Sequence, residues 1–316
     1  MNKTLAIKPK MTLPVLNVDF DTDAECRQAL EELRWPDGVS CPRCQSESIS
    51  RITTRKQFDC NTCRYRFSVT TGTIFNDSHL PLPKWFMAIF LMCESKKGIS
   101  SMQLMRMLGV SKKTAWYLNH RIREAMRLDA NEPLEGTIEV DETYIGGKPR
   151  YRVGQGSHHT RKQMVLAAIQ RGGDIRLQHV KKNFDAGKKV RGFGNRKALH
   201  GFIKDVAPNP QRIITDEHPA YPGIADEDTV HETVNHTAKE YVRGDVHTNT
   251  IEGAFGLFKR SIVGSFHQIS VKHLDRYLDE FEFRFNNRKN GFLFRDTITR
   301  LVTAKALPYD KLTQSA

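Results

Sequence analysis

The stretch GTIEVDETYIGG, residues 136–147, marks where the character of this 316-residue chain changes. Glu132-Pro133-Leu134-Glu135-Gly136 forms a breaker-rich boundary ahead of it, and Ile138, Val140 and Tyr144 then fall at alternate positions. That period of two is the mark of a strand with one face buried, and Asp141 lies inside it. Two more apolar runs, MVLAAIQR (164–171) and IRLQHV (175–180), follow with Gly172-Gly173-Asp174 between them as a hairpin signal. A basic, glycine-containing loop from Lys181 to Lys197 leads to a helix candidate, ALHGFIKDVA. Another apolar strand, Arg212 to Thr215, then ends on Asp216. Three antiparallel strands, a helix and a parallel strand predict an α/β domain built on a mixed sheet. Carboxylates at the ends of neighbouring strands converge in such a sheet.

A lone Asp beside a strand is usually a turn or a cap, so Asp141 and Asp216 need a third partner. VHTNTIEGAFGLFKRSIVG (246–264) reads as a helix with Thr248 or Asn249 as its cap, and thirty-five residues separate Asp216 from Glu252 within it. Ile251, Phe255 and Phe258 form its apolar stripe and Glu252 sits at the flank. Lys259 follows two turns later on the same face, with Arg260 beside it, and this pairing suits a metal ion and the phosphate it acts on. Strand alternation sends Glu142 to the opposite face from Asp141. Asp226-Glu227-Asp228 reads as a solvated turn. His218, His231, His236 and His247 lack close ligand spacing, which points to phosphate contacts or packing rather than a metal site. Ser270 to Arg288 predicts a core helix covering the sheet, with Leu274, Tyr277, Leu278, Phe281 and Phe285 as its stripe.

Upstream, Cys41-Pro-Arg-Cys44 and Cys60-Asn-Thr-Cys63 are two CxxC turns with fifteen residues between them. Each turn aims two thiolates at one centre, so the pairs predict a structural Zn2+ site around a short hairpin. Cys26 and Cys93 fall in apolar patterns and read as core fillers. Pro83 opens the buried helix WFMAIFLMCES, and Gly98 ends it. Ser100 then caps a short helix, Gly109 makes a turn, and Ser111 caps KKTAWYLNHRIREAM, a helix-turn-helix pattern. Lys96 to Arg127 holds eight basic residues and one acid, Glu124. Lys112 and Lys113 in the first turn of the second helix, together with Arg121 and Arg123, are the expected DNA contacts, and Trp116, Leu118 and Ile122 would pack inward.

The whole chain carries 49 Lys+Arg against 36 Asp+Glu, a net charge of +13, which favours a polyanionic partner. Nucleic acid is the leading candidate. The longest apolar run, Trp85 to Cys93, is nine residues, against the roughly 20 of a membrane helix. With no leader pattern at the start, the chain reads as cytoplasmic, where free thiols and metal-bound thiolates persist.

Taken together, RWPDGVSCPRC (34–44), VDETYIGGK (140–148), TDEHPAY (215–221), HTNTIEGAFGLFKRSIVGSFH (247–267) and LDRYLDEFEFRFNNR (274–288) carry a resemblance that spans nearly the whole chain. The protein resembles insertion-sequence DDE transposases with an N-terminal zinc ribbon, a helix-turn-helix and an RNase H-like catalytic domain. The resemblance implies a multidomain α/β protein. An N-terminal helical segment would cover 1–40, the ribbon 41–75, the helix-turn-helix 80–130, the catalytic domain 135–300 and a tail 301–316, with both termini flexible. It implies Asp141, Asp216 and Glu252 as the catalytic acids and a DNA-contacting role for Lys259, and Asn249 also fits the family's pattern. The expected cofactors are structural Zn2+ and two Mg2+ (or Mn2+) ions, with Asp141 bridging both ions and Asp216 and Glu252 each holding one. Water would free a 3′-OH at the transposon end, and that hydroxyl would attack target DNA in the same site. The expected partners are transposon ends, target DNA and further copies of the chain, since pairing two ends requires at least two protomers. A DNA-binding regulator and a structure-specific nuclease of the same fold are the competing functions.

Overall fold

The protein, seen in a computed structural model, divides into two units, Met1–Arg127 with Lys289–Ala316, and Leu128–Arg288. The structure describes residues 7, 9–127, 132–146, 162–181, 196–235 and 242–314. Most of the basic loop expected from Lys181 to Lys197 lies outside them, as does His236.

The first unit opens with α1 (Leu13–Asp19) and α2 (Asp23–Arg34). Thr22 and Glu25 form a reciprocal capping box at the start of α2, so two backbone donors that a helix end leaves without partners are satisfied locally. Strands β1 (Ile49–Ile52), β2 (Gln57–Cys60) and β3 (Arg66–Phe67) make a small antiparallel sheet around Phe58, Phe67 and Trp35. Helix α3 (Leu82–Glu94) carries Pro83 in its first turn and buries Trp85, Phe86, Ile89 and Met92. Ser100 caps α4 (Ser101–Leu108), Gly109 follows in the left-handed conformation at φ +60°, and Ser111 caps α5 (Lys112–Met126). Cys26 and Cys93 are buried, as their patterns suggested.

The same unit is completed from the far end of the chain by α9 (Leu293–Thr303) and α10 (Tyr309–Thr313). Phe294 of α9 meets Phe20, Phe86 and Phe90 at ring-centroid distances of 6.4, 6.0 and 6.1 Å. Two expectations change here. Residues 301–316 are not a loose tail, because Leu301, Leu307 and Leu312 are buried. Residues 289–300, expected to belong to the catalytic segment, fall in the first unit. Both arise from tertiary packing that a short apolar run does not announce. At the other end, Ile7 is buried and the Lys10 backbone N–H donates to the Gly291 carbonyl at 2.6 Å.

The second unit is a five-stranded mixed sheet in the order β6-β5-β4-β7-β8. Its strands are β4 (Thr137–Ile145), β5 (Gln163–Gln170), β6 (Ile175–Val180), β7 (Arg212–Asp216) and β8 (Val230–Val234). The β6-β5-β4 pairings are antiparallel, and β4-β7 and β7-β8 are parallel. This is the mixed sheet that the strand order predicted. The last strand was not foreseen, because His231, Glu232 and Thr233 break any apolar pattern. Helix α6 (Arg196–Val206) covers one face through Leu199, Phe202 and Ile203, packed on Ile138, Val140 and Leu166. Helices α7 (Asn249–Ser261) and α8 (Leu274–Asn286) cover the other through Ile251, Phe255, Leu278 and Phe281, packed on Val165, Ala167 and Ile169. The two faces of β4 thus hold different partners: even residues point toward α6, odd residues toward α7.

An unpaired edge strand exposes backbone donors and acceptors that invite another chain. Helix α8 closes the β6 edge with side chains. The Leu177 N–H donates to Glu282 Oε2 at 2.9 Å, and Asn286 both accepts from the Ile175 N–H and donates to its carbonyl. Among the described residues no helix is long and apolar enough to cross a membrane.

Candidate active site

The cysteine turns do what their spacing predicts. Cys41, Cys44, Cys60 and Cys63 bring their sulfurs within 4.8 Å of one another. The Cys41–Cys63 and Cys44–Cys60 Sγ separations are 3.7 and 3.5 Å. A tetrahedron with Zn–S bonds of about 2.3 Å has edges of about 3.8 Å, so the four sulfurs match a zinc ion's coordination shell. The Cys63 backbone N–H, directed at Cys60 Sγ, helps pull that thiol down to about 6, toward the thiolate a metal requires. The four-cysteine cluster fits structural zinc.

The three expected acids come from three elements of the second unit. Asp141 lies on β4, Asp216 ends β7, and Glu252 is in the first turn of α7. The parallel pairing of β4 and β7 sets Glu139 opposite Ile214, and continuing that register places Asp141 across from Asp216. Burial pushes the Asp141 carboxyl up to about 8, reinforced by the charges of Glu142, Asp216 and Glu252. All four carboxylates therefore share one electrostatic neighbourhood. Local bonds orient each of the three: the Glu142 N–H donates to Asp141 Oδ1 at 2.7 Å, the His218 N–H to Asp216 Oδ1 at 3.0 Å, and the Thr248 hydroxyl to Glu252 Oε1 at 3.0 Å. Among the described residues, these acids are not drawn together as tightly as the cysteines, whose donor atoms form the compact group. The donor set is all oxygen and partly open to solvent, which fits a hard divalent cation such as Mg2+ or Mn2+ that retains waters.

Glu142 faces the α6 side, as alternation requires, yet it stays within reach of the site. Its Oε2 accepts from the hydroxyl of buried Tyr221 at 2.7 Å, and Oε1 lies 3.9 Å from His218 Nε2. Burial raises its carboxyl, as does the charge of Asp216. His231 instead bonds Thr215 Oγ1, and His247 lies beside Glu139, so neither joins a metal cluster among the described residues.

Glu139 is the residue that sequence reasoning missed. It is fully buried, two residues before Asp141 on the same face of β4. No local pattern marks it, because the buried Ile138 and Val140 beside it lie on the opposite face of the strand.

The basic residues divide. Lys112 and Lys113 are exposed in the first turn of α5, with Lys113 Nζ 4.6 Å from the Tyr309 ring centroid. Lys259 and Arg260 are exposed near the end of α7. Arg121 and Arg123 are 4% and 1% exposed, which corrects the expectation that they contact DNA. The Arg121 guanidinium donates to the carbonyls of Ile74 and Asn76 and stacks against Trp85 and Tyr117. Helix α5 is buried around most of its circumference, so only its first turn is free to meet a ligand.

Residues 133–286 match the ISXO2-like transposase domain, and residues 21–66 match the transposase zinc-ribbon domain. An uncharacterized protein in the transposable element ISH50 of Halobacterium salinarum is 31% identical over 286 residues, covering 84% of this chain and 91% of that one. The chain belongs to the ISXO2-like transposases. The domain match of this ISXO2-like transposase takes in β4 through α8, and with them all four carboxylates. Two crystal structures are distantly similar, the Mos1 strand transfer complex (14% identity, 69% of this chain and 74% of that one, TM-score 0.27) and a pre-cleavage Mos1 transpososome (13%, 69% and 75%, 0.26). Neither likeness is close enough to bear on the site.

Proposed function

We propose that this transposase binds the ends of its insertion sequence, hydrolyses a phosphodiester there and joins the freed 3′-OH to target DNA. The observation that carries the reading is the meeting of Asp141, Asp216 and Glu252 from β4, β7 and α7 in one electrostatic neighbourhood. Asp141, Asp216 and Glu252 would hold divalent cations here. Such ions, when bound, supply Lewis acidity to the attacked phosphodiester and neutralise charge on its leaving oxygen. The chain's own part is to orient these ligands. Asp141 is held by the Glu142 N–H, Asp216 by the His218 N–H and Glu252 by the Thr248 hydroxyl. No covalent protein–DNA intermediate is required, so no Ser or Tyr nucleophile is needed.

Delivery of DNA falls to the basic surfaces. Lys259 and Arg260 stand on the helix that carries Glu252. Lys112 and Lys113 place positive charge at the start of α5, where the Gly109 turn and the Ser111 cap set a helix-turn-helix. The zinc ribbon and this helix pair serve as DNA-binding modules ahead of the catalytic segment. Pairing two ends calls for at least two protomers on DNA, and the transposase acts in the cytoplasm.

Purified protein incubated with element-end DNA, Mg2+ and a target plasmid tests the reading. Joined products are the expected result. Cleavage without joining would make the protein a nuclease, and binding alone would make it a regulator. Full strand transfer by Asp141→Asn in Mg2+ would remove Asp141 from the chemistry.

A further inference from the structure

Helix α7 is not capped in the ordinary way. The first turn of a helix has backbone N–H groups without partners, and the preceding side chain usually accepts from them. Thr248 precedes α7 but makes no such bond, and its hydroxyl is given to Glu252 Oε1 instead. The capping role has passed to another element. Glu139, on β4, accepts through Oε2 from the backbone N–H of Thr250 at 2.9 Å and of Ile251 at 3.0 Å. Its Oε1 accepts from the Thr250 hydroxyl at 2.8 Å and from Arg171 Nε at 2.9 Å. Arg171 also donates to the His247 carbonyl at 3.0 Å, so the segment leading into α7 is tied to the same carboxylate.

The placement of this clamp is specific. Glu139 is two residues from Asp141 on the same face of β4, and the amides it holds are one and two residues before Glu252. One buried side chain thus joins the strand of Asp141 to the helix turn of Glu252. A carboxylate with no solvent contact costs several kcal/mol unless donors surround it, as general electrostatics requires. Four donors, one of them the Arg171 guanidinium, meet that need here. Glu252 itself is exposed, and its Oε1 accepts from the Thr248 hydroxyl.

We propose that Glu139 is a positioning residue, whose clamp on the first turn of α7 holds Glu252 on the same face of the sheet as Asp141 for divalent-cation binding. The inference rests on the assignment of these acids as metal ligands. Glu139 touches neither DNA nor metal and acts through Glu252.

The test reads metal binding rather than turnover. Mn2+ is titrated into the intact zinc-loaded protein and followed by electron paramagnetic resonance, with circular dichroism monitoring the fold. Glu139→Gln keeps the shape but turns one acceptor into a donor facing N–H groups. It is expected to weaken Mn2+ binding by about tenfold or more, the usual effect of removing a group that orients a metal ligand. Thr250→Val removes only the hydroxyl donor and keeps the proposal testable if Glu139→Gln does not fold; it should weaken Mn2+ binding about threefold. Because Glu139 acts through Glu252, Glu139→Gln combined with Glu252→Gln should bind Mn2+ no worse than Glu252→Gln alone. A general structural role would instead lower stability in the variants without this masking. Folded Glu139→Gln with wild-type Mn2+ affinity, or losses that multiply in the double variant, would overturn the positioning role while leaving the metal assignment intact. Mn2+ binding unchanged by both Asp141→Asn and Glu252→Gln would overturn the metal assignment, and the positioning role with it.

Discussion

Asp141 and Glu142 are adjacent, yet their surroundings give them different tasks. Asp141 faces α7 with Glu252, whereas Glu142 is engaged by the Tyr221 hydroxyl and approached by His218. Glu142→Gln keeps an acceptor for Tyr221 and removes one of the charges that raise Asp141. The expected outcome is folded protein with cleavage within about tenfold of wild type, whereas Asp141→Asn abolishes metal-dependent cleavage; an end-labelled DNA assay in Mg2+ separates the two. The candidate acids were open to nomination from the sequence: Asp141 in an alternating strand, Asp216 at a strand end, Glu252 beside an apolar stripe, their roles implied by the resemblance. Glu139 was not, since a buried acid can be recognised only once its donors, 32 and 111 residues away, are in place. Arg121 misled for the opposite reason. Its guanidinium satisfies loop carbonyls 45 and 47 residues distant, and nothing local distinguishes such an arginine from one that meets phosphate.

Elements that share a boundary here hold each other in place through a few polar side chains. Burial pushes the Glu282 carboxyl up to about 7, opposed by the Leu177 N–H and by Arg176. The folded protein therefore retains a proton that the unfolded chain releases near the ordinary 4.5. Stability from this group is fully present below about 4.5 and is lost as pH rises toward 7, by an amount on the order of 2–3 kcal/mol. Glu282→Gln still accepts from Leu177, so its urea-unfolding free energy should fall less than wild type's between pH 5 and 7.5. The ribbon depends on metal instead. A chelator strong enough to strip zinc should unfold β1–β3, seen as loss of amide-exchange protection at Phe58 and Phe67, while the strands of the mixed sheet keep theirs. Helix caps and CxxC turns made the first unit's elements readable, because Ser100, Gly109 and Ser111 act within a few residues of themselves. Strand β8 escaped notice, since a polar edge strand is defined by its neighbour β7 rather than by its own pattern.

At the scale of the molecule, the domain order was readable but its connectivity was not. The second unit is an insertion: the chain leaves the first unit at Arg127 and re-enters it at Lys289. Phe294 shows what the return accomplishes, filling a pocket made by Phe20, Phe86 and Phe90 from more than two hundred residues earlier in the chain. Phe294→Ala should destabilise the first unit by about 3–5 kcal/mol, the usual cost of emptying a buried aromatic site. Calorimetry that resolves two transitions should show one lowered and the other unmoved. The same arrangement has a consequence for synthesis. The segment up to Arg288 can collapse on its own sheet as it leaves the ribosome, but the first unit must wait with Phe86 and Phe90 uncovered until α9 emerges. Assembly of the first unit is therefore the last event in making the polypeptide, and a message cut short before codon 294 would yield a chain that holds its four carboxylates but lacks the packing that steadies the helices of the first unit.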